Sequence, residues 1–145
     1  MVLEGVPEFN RALESLVARM SAASRKAATT GGHLIEAGAK KNLGLRAHAR
    51  GTPTPSPPGS PPALITGTLR RSIRVTAAEP VSITGWTVSV GPTVVYGRIQ
   101  ELGGDAGRGG SVHLPPRPYL EPALQEVVDS GALWGCYAAA WREAF

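Results

Sequence analysis

Three histidines, His33, His48 and His113, and one cysteine, Cys136, are the side chains that would supply metal ligation or nucleophilic attack. None of the histidines stands at a ligand spacing from another, and none is near Cys136 in the chain. No nucleophile-elbow motif frames a serine. Glu101 and Asp105 lie four apart beside a glycine-rich stretch, a spacing shared by acid–base pairs and by solvated loop edges. That stretch, residues 103–110, holds Gly103, Gly104, Gly107, Gly109 and Gly110. It lacks the Walker lysine and the strand-to-helix position of a dinucleotide fingerprint, so it reads as a flexible loop. The side chains with a usable chemistry are arginines. Arg70, Arg71 and Arg117 offer forked donors that match carboxylates, and Glu101 offers an acceptor. The expectation is that Arg70 or Arg117 pairs with Glu101, within the chain or across an interface. This pattern points away from an enzyme and implies no cofactor and no metal.

The elements that must position these residues follow from periodicity. Phe9, Leu13, Leu16, Val17 and Met20 fall on one helical face, and Pro7 suits a first turn. Gly31-Gly32 weakens the pattern before Leu34 and Ile35 resume it, with Gly44 as a C-terminal cap. The spacing predicts one long helix kinked near Gly31-Gly32, or two helices. Residues 51–62 hold six prolines, which exclude helix and internal strand. They predict an extended, semi-rigid arm, carrying Pro55 and Pro58. It either reaches over a neighbouring subunit or lies in solvent; the flanks lack the basic pattern of an SH3-type ligand.

Thr66-Gly67-Thr68-Leu69-Arg70-Arg71-Ser72-Ile73 reads as a turn into a strand. Ile73, Val75 and Ala77 alternate with Arg74, Thr76 and Ala78, and Trp86, Val88 and Val90 alternate with Thr87 and Ser89. An antiparallel hairpin turning between Glu79 and Gly85 fits both runs. Val94–Leu102 is a short helix or a turn. Leu120, Leu124, Val127, Val128, Leu133, Trp134, Tyr137 and Trp141 form the apolar face of a last helix, loosened by Gly131 and Gly135. The fold class is therefore α+β in a single domain over 1–145. It has a long N-terminal helix, an antiparallel hairpin or small sheet, a C-terminal helix packed on the sheet, and the proline-rich arm.

Composition narrows the function classes. The 145 residues suffice for one core, and 18 glycines and 13 prolines exceed average usage. Charged residues make up only 18%, which suits a surface partly covered by other subunits. The net charge of +4 arises within residues 1–50, where eight Lys and Arg face four acidic residues. A solvated helix face explains this better than nucleic-acid binding. Long same-sign runs are absent, and Phe9 is the one aromatic interleaved there. A single cysteine excludes an internal disulfide. Neither a signal-peptide pattern nor an apolar run long enough for a bilayer is evident, so the expectation is a soluble, cytoplasmically made protein with no membrane partner.

Four ordered motifs resemble the neck proteins of long-tailed bacteriophages, described as head–tail joining or tail-completion proteins. They are Thr66-Gly67-x-Leu69-Arg70-x-Ser72-Ile73, then Gly91-Pro92 closing the hairpin. Tyr96 follows, leading to a Glu101-x-Gly103 corner, and last Arg117-Pro118-Tyr119-Leu120-x-Pro122-Ala123. The arm and the glycine loop are longer than the pattern leads one to expect. The resemblance implies a virion structural protein made in the host cytoplasm and forming an oligomeric ring, sixfold, at the head–tail interface. The ring would join the capsid connector or stopper to the tail tube, or complete the tail, with genome DNA passing through it without specific binding. A tail terminator capping the tube is the alternative. Arg70, Arg71, Tyr96, Glu101, Arg117, Tyr119, Pro55 and Pro58 are the candidate interface residues.

Overall fold

A computed structural model describes residues 5–145. Its organising element is α1, a 37-residue helix over Val6–Asn42, about 55 Å long at 1.5 Å per residue. Pro7 sits in the first turn, and Lys40 and Lys41 stand in the last, where positive charge complements the exposed carbonyls. The helix runs unbroken through Gly31-Gly32, where the sequence predicts a kink or a break. The two glycines are buried, and they serve packing. A Cβ on Gly31 would lie 2.6 Å from Leu133 Cδ1, and one on Gly32 would lie 2.8 Å from Val75 Cγ1. Tertiary contact thus outweighs the poor helix propensity of glycine. Leu43 caps the helix, and Gly44 follows without a left-handed conformation.

The buried face of α1 consists of Ala23, Ser24, Ala27, Ala28, Gly31, Gly32 and Ala39. The large apolar residues nearer its start stay uncovered: Phe9 is 67% exposed, and Leu13 and Leu16 are exposed too. The small side chains let other elements approach the helix axis closely, so the core forms on them instead.

The segment read as a turn into a strand is a short helix, α2 (Thr68–Ser72), running directly into β1 (Ile73–Val75). The expected hairpin is present but divided. β1 pairs with β4 (Val90–Pro92), placing Ile73 opposite Pro92. Farther out, β2 (Glu79–Pro80) pairs with β3 (Trp86–Thr87). Between the two ladders, Thr76 N–H donates to Ser89 O and Ser89 N–H donates to Thr76 Oγ1, both at 2.9 Å. A threonine side chain thus replaces one rung. The hairpin lies on α1 through Trp86, whose Nε1 donates to Ser21 Oγ at 3.0 Å beneath the Arg25 guanidinium.

α3 (Gly97–Leu102) is the short helix foreseen between Val94 and Leu102. The glycine-rich stretch is not a flexible loop. It forms a second hairpin of β5 (Gly104–Ala106) and β6 (Val112–Leu114), joined through a 3-10 turn. Backbone ladders need no side chains, which is why a glycine-rich sequence conceals one. The single last helix is two, α4 (Glu121–Asp129) and α5 (Ala132–Ala144), separated at Gly131, whose φ of 73° favours glycine. Both lie mainly along α1, and α4 reaches the β1–β4 pair through Ala123 and Ile73. One core joins Ala39, Leu43, Ile73, Tyr119 and Ala123; a second joins Ala23, Ala27 and Ala140 under Tyr137.

Candidate functional site

The four motifs pack together, Ile73 with Tyr119 in one core and Pro92 against Gly97, and Glu101 ties the last two to each other. Its Oε2 accepts from the backbone N–H groups of Tyr119 at 2.7 Å and Leu120 at 3.0 Å, and its Oε1 accepts from that of Glu121 at 2.9 Å. These donors are the otherwise unpaired N–H groups at the start of α4, and the carboxylate also opposes the positive end of that helix. Glu101 pairs with neither Arg70 nor Arg117 within the chain, where its carboxylate serves as a helix cap. Gly103 closes the corner with a φ of 70°; a Cβ there would meet Leu114 O at 2.8 Å. Gly97 begins α3 hard against Pro92, where a Cβ would overlap the proline ring. Asp105 is not part of a carboxylate pair with Glu101. It meets His113 Nδ1 at 2.8 Å across the second hairpin.

Tyr119 is fully buried, and its hydroxyl donates to Gly97 O at 3.0 Å. Burial pushes this phenol well above its ordinary value of 10.0, and the charges of Glu101 and Tyr96 add to the shift. A raised folded value means that the neutral form is favoured in the fold. The associated stability is complete below the unfolded value and is lost as pH rises above it. Tyr119→Phe should cost about 1 kcal/mol at neutral pH, the worth of one hydrogen bond. It should also flatten the decline of stability above about pH 10. Urea unfolding of both proteins across pH 8 to about 11 tests this. Parallel pH slopes would refute it.

Arg117 is 7% exposed and anchors the proline arm. Its Nε donates to Ser56 O at 2.8 Å, and its own N–H donates to Gln100 O. Gly59 N–H donates to Pro116 O, and an isolated bridge between Ala47 and Leu64 closes the loop at its base. The arm is therefore fastened against its own chain and does not project. The sequence exposes its stiffness but not a staple formed by one arginine and a main-chain carbonyl 61 residues away. Pro58 is exposed on its outer side, and Pro55 lines what the arm encloses.

That enclosure is a cavity of about 490 Å³ between the arm, α2, α3 and the end of α1, bordered by Leu43, Leu69, Tyr96, Arg70 and Arg117. A second concavity of about 500 Å³ adjoins it through Thr66 and Arg70, with Arg71 and Arg74 on its wall. Among the described residues no carboxylate borders either. Arg70 and Arg71 form no ion pair, and the two Nη groups of Arg117 have no partner, among the described residues. Ser56 Oγ is buried here and also unpartnered. The structure thus brings Arg70, Tyr96, Arg117 and Pro55 to one cavity, with Arg71 beside it. Glu101 and Tyr119 lie in the frame behind.

The charges of α1 are mostly used within the chain. Arg11 pairs with Glu8, Lys26 with Glu143, Lys40 with Glu36 and Lys41 with Glu126. The Lys40 and His33 contacts hold the Glu36 carboxyl below its ordinary value of 4.5. One uncovered apolar patch lies at the other end of the helix, while further large apolar side chains, Val95 and Trp134 among them, stand exposed elsewhere. In the patch, Ile83 at the hairpin tip borders a groove with Leu13, Glu14 and Val17. Val81 and Ile83 are 68% and 80% exposed. Among the described residues no three His, Cys, Asp or Glu side chains cluster as a metal site, and no helix is long and apolar enough to cross a membrane. No family model, curated protein or solved structure matches the chain.

Proposed function

We propose that this protein is a structural component of a tailed-phage virion, acting at the head–tail interface as a closed, sixfold oligomeric ring. It joins the capsid connector to the tail, or completes the tail so that joining can occur. The observation that carries this reading is an uncovered apolar patch at one end of α1. Phe9, Leu13 and Leu16 on the helix and Val81 and Ile83 on the neighbouring hairpin tip are all exposed. An exposed apolar patch shared by a helix and a neighbouring hairpin tip, on a body held by two packed cores, fits a protein-contact site. The ordered likeness of the four motifs to neck proteins supports the same reading. Their residues build the frame around Glu101 and Tyr119, so the likeness speaks to the body, and the exposed end speaks to assembly.

The purified chain, alone and mixed with cognate tail tubes, should give by light scattering a discrete species near six times its 15.1 kDa mass, in solution or on the tube end. A monomer indifferent to tubes that binds duplex DNA with a steep salt dependence would overturn the proposal.

A further inference from the structure

We propose that the β2–β3 hairpin tip of one copy inserts into the arginine-walled cavity of the next copy, and that this contact closes the ring. The inference deepens the ring reading and rests on it. The two surfaces are complementary. The tip offers Val81 and Ile83, both exposed, flanked by the Glu79 and Glu14 carboxylates, which have no cationic partner among the described residues. The cavity offers apolar walls from Leu43, Leu64 and Leu69, with the free guanidinium edges of Arg70 and Arg117.

The two surfaces cannot meet within one chain. Ile83 lies against α1 at Leu13–Val17, whereas the cavity begins at Leu43, just beyond the end of the helix. That separation is roughly 45 Å of helix at 1.5 Å per residue. Each copy therefore carries one tip and one cavity at opposite ends of a stiff element. Such a heterologous contact repeats around an axis and closes when the rotation allows.

The cavity also has free donors that the tip can match. The Arg117 guanidinium has one of its donors engaged, at Nε, and a charged pair formed away from water is strong only when its donors are matched. Glu79 meets Arg70 at the mouth. The carbonyls of Ser82 and Ile83 accept no hydrogen bond among the described residues. They can receive the Arg117 Nη groups, while Val81 and Ile83 fill the apolar floor.

The test uses the full chain carrying Cys136→Ser, with Ile83→Cys and Thr54→Cys placed on the tip and on the cavity wall. Mild oxidation, with and without tail tubes, should give a ladder of covalent multimers from the double-cysteine protein and none from either single one. Glu79→Lys and Arg70→Glu should each raise the concentration needed for assembly by about tenfold or more, and the two together should restore it. Both side chains are exposed and unpaired within the chain, so each variant should keep the circular dichroism of the parent. Rings of full mass without a ladder and without charge-swap rescue would place the ring contact elsewhere, overturning the tip–cavity contact and leaving the ring intact. A monomer under every condition would overturn both.

Discussion

Glu101→Ala is expected to destabilise the protein by about 3 kcal/mol. Three backbone donors lose their acceptor at once: those of Tyr119, Leu120 and Glu121. An ordinary N-cap loss costs roughly 1 kcal/mol, and bonds to an ionised acceptor are worth about twice neutral ones. The sum is not additive, because water reaches part of the site once the side chain is gone. Glu101→Gln should recover less than half of the loss, since only one of its two polar atoms accepts a hydrogen bond. Urea unfolding of the three proteins decides the matter. A loss below about 0.5 kcal/mol for the alanine variant would mean that α4 does not depend on this cap.

A methyl group added at Gly97 should cost a similar amount, about 3 kcal/mol, for a steric reason. The Cβ of Gly97→Ala would overlap Pro92, whose ring cannot rotate away and whose backbone is paired opposite Ile73. Relief requires moving α3, and with it the Gly97 carbonyl that accepts the Tyr119 hydroxyl. Gly135→Ala is the matched control. Its Cβ would meet nothing within 4 Å, and it lies within α5. Glycine in a helix costs about 1 kcal/mol relative to alanine, so this change should stabilise. Opposite signs for the two substitutions in thermal unfolding are the expected result. Two losses of equal size would show that close approach at Pro92 is not the cause.

What was legible in the sequence was whatever side-chain periodicity controls. The N-terminal helix, the hairpin over Ile73–Pro92 and the helical end all follow from apolar spacing. The roles of Glu101 and Arg117 were not legible, because their partners are main-chain groups far along the chain, and any residue type supplies those. The stripe of Phe9, Leu13 and Leu16 marks a helix correctly, yet it is not the stripe that packs. The packed one is built of alanine and glycine, residues that carry little hydrophobic signal. The glycine-rich hairpin was hidden for the same reason. Its ladder is a property of the backbone, and Asp105 opposite His113 is its one conspicuous cross-strand pair.

The small-residue centre of α1 has a consequence for the order in which the chain folds. Alanine and glycine have almost no rotamer entropy to lose, so docking onto Ala23–Gly32 is cheap in side-chain freedom. Thr29, Thr30, Gly31 and Gly32, however, form the weakest helical tetrad of α1 by intrinsic propensity. Before docking, this point should fray and divide α1 into two independent helices. Leu133 of α5 and Val75 and Val88 of the hairpin are the groups that close over it. Continuity of α1 is then a late event, completed only when elements from the distant C-terminal half arrive. The separation between tip and cavity, and hence the geometry of any ring built from them, is fixed at that step and not before.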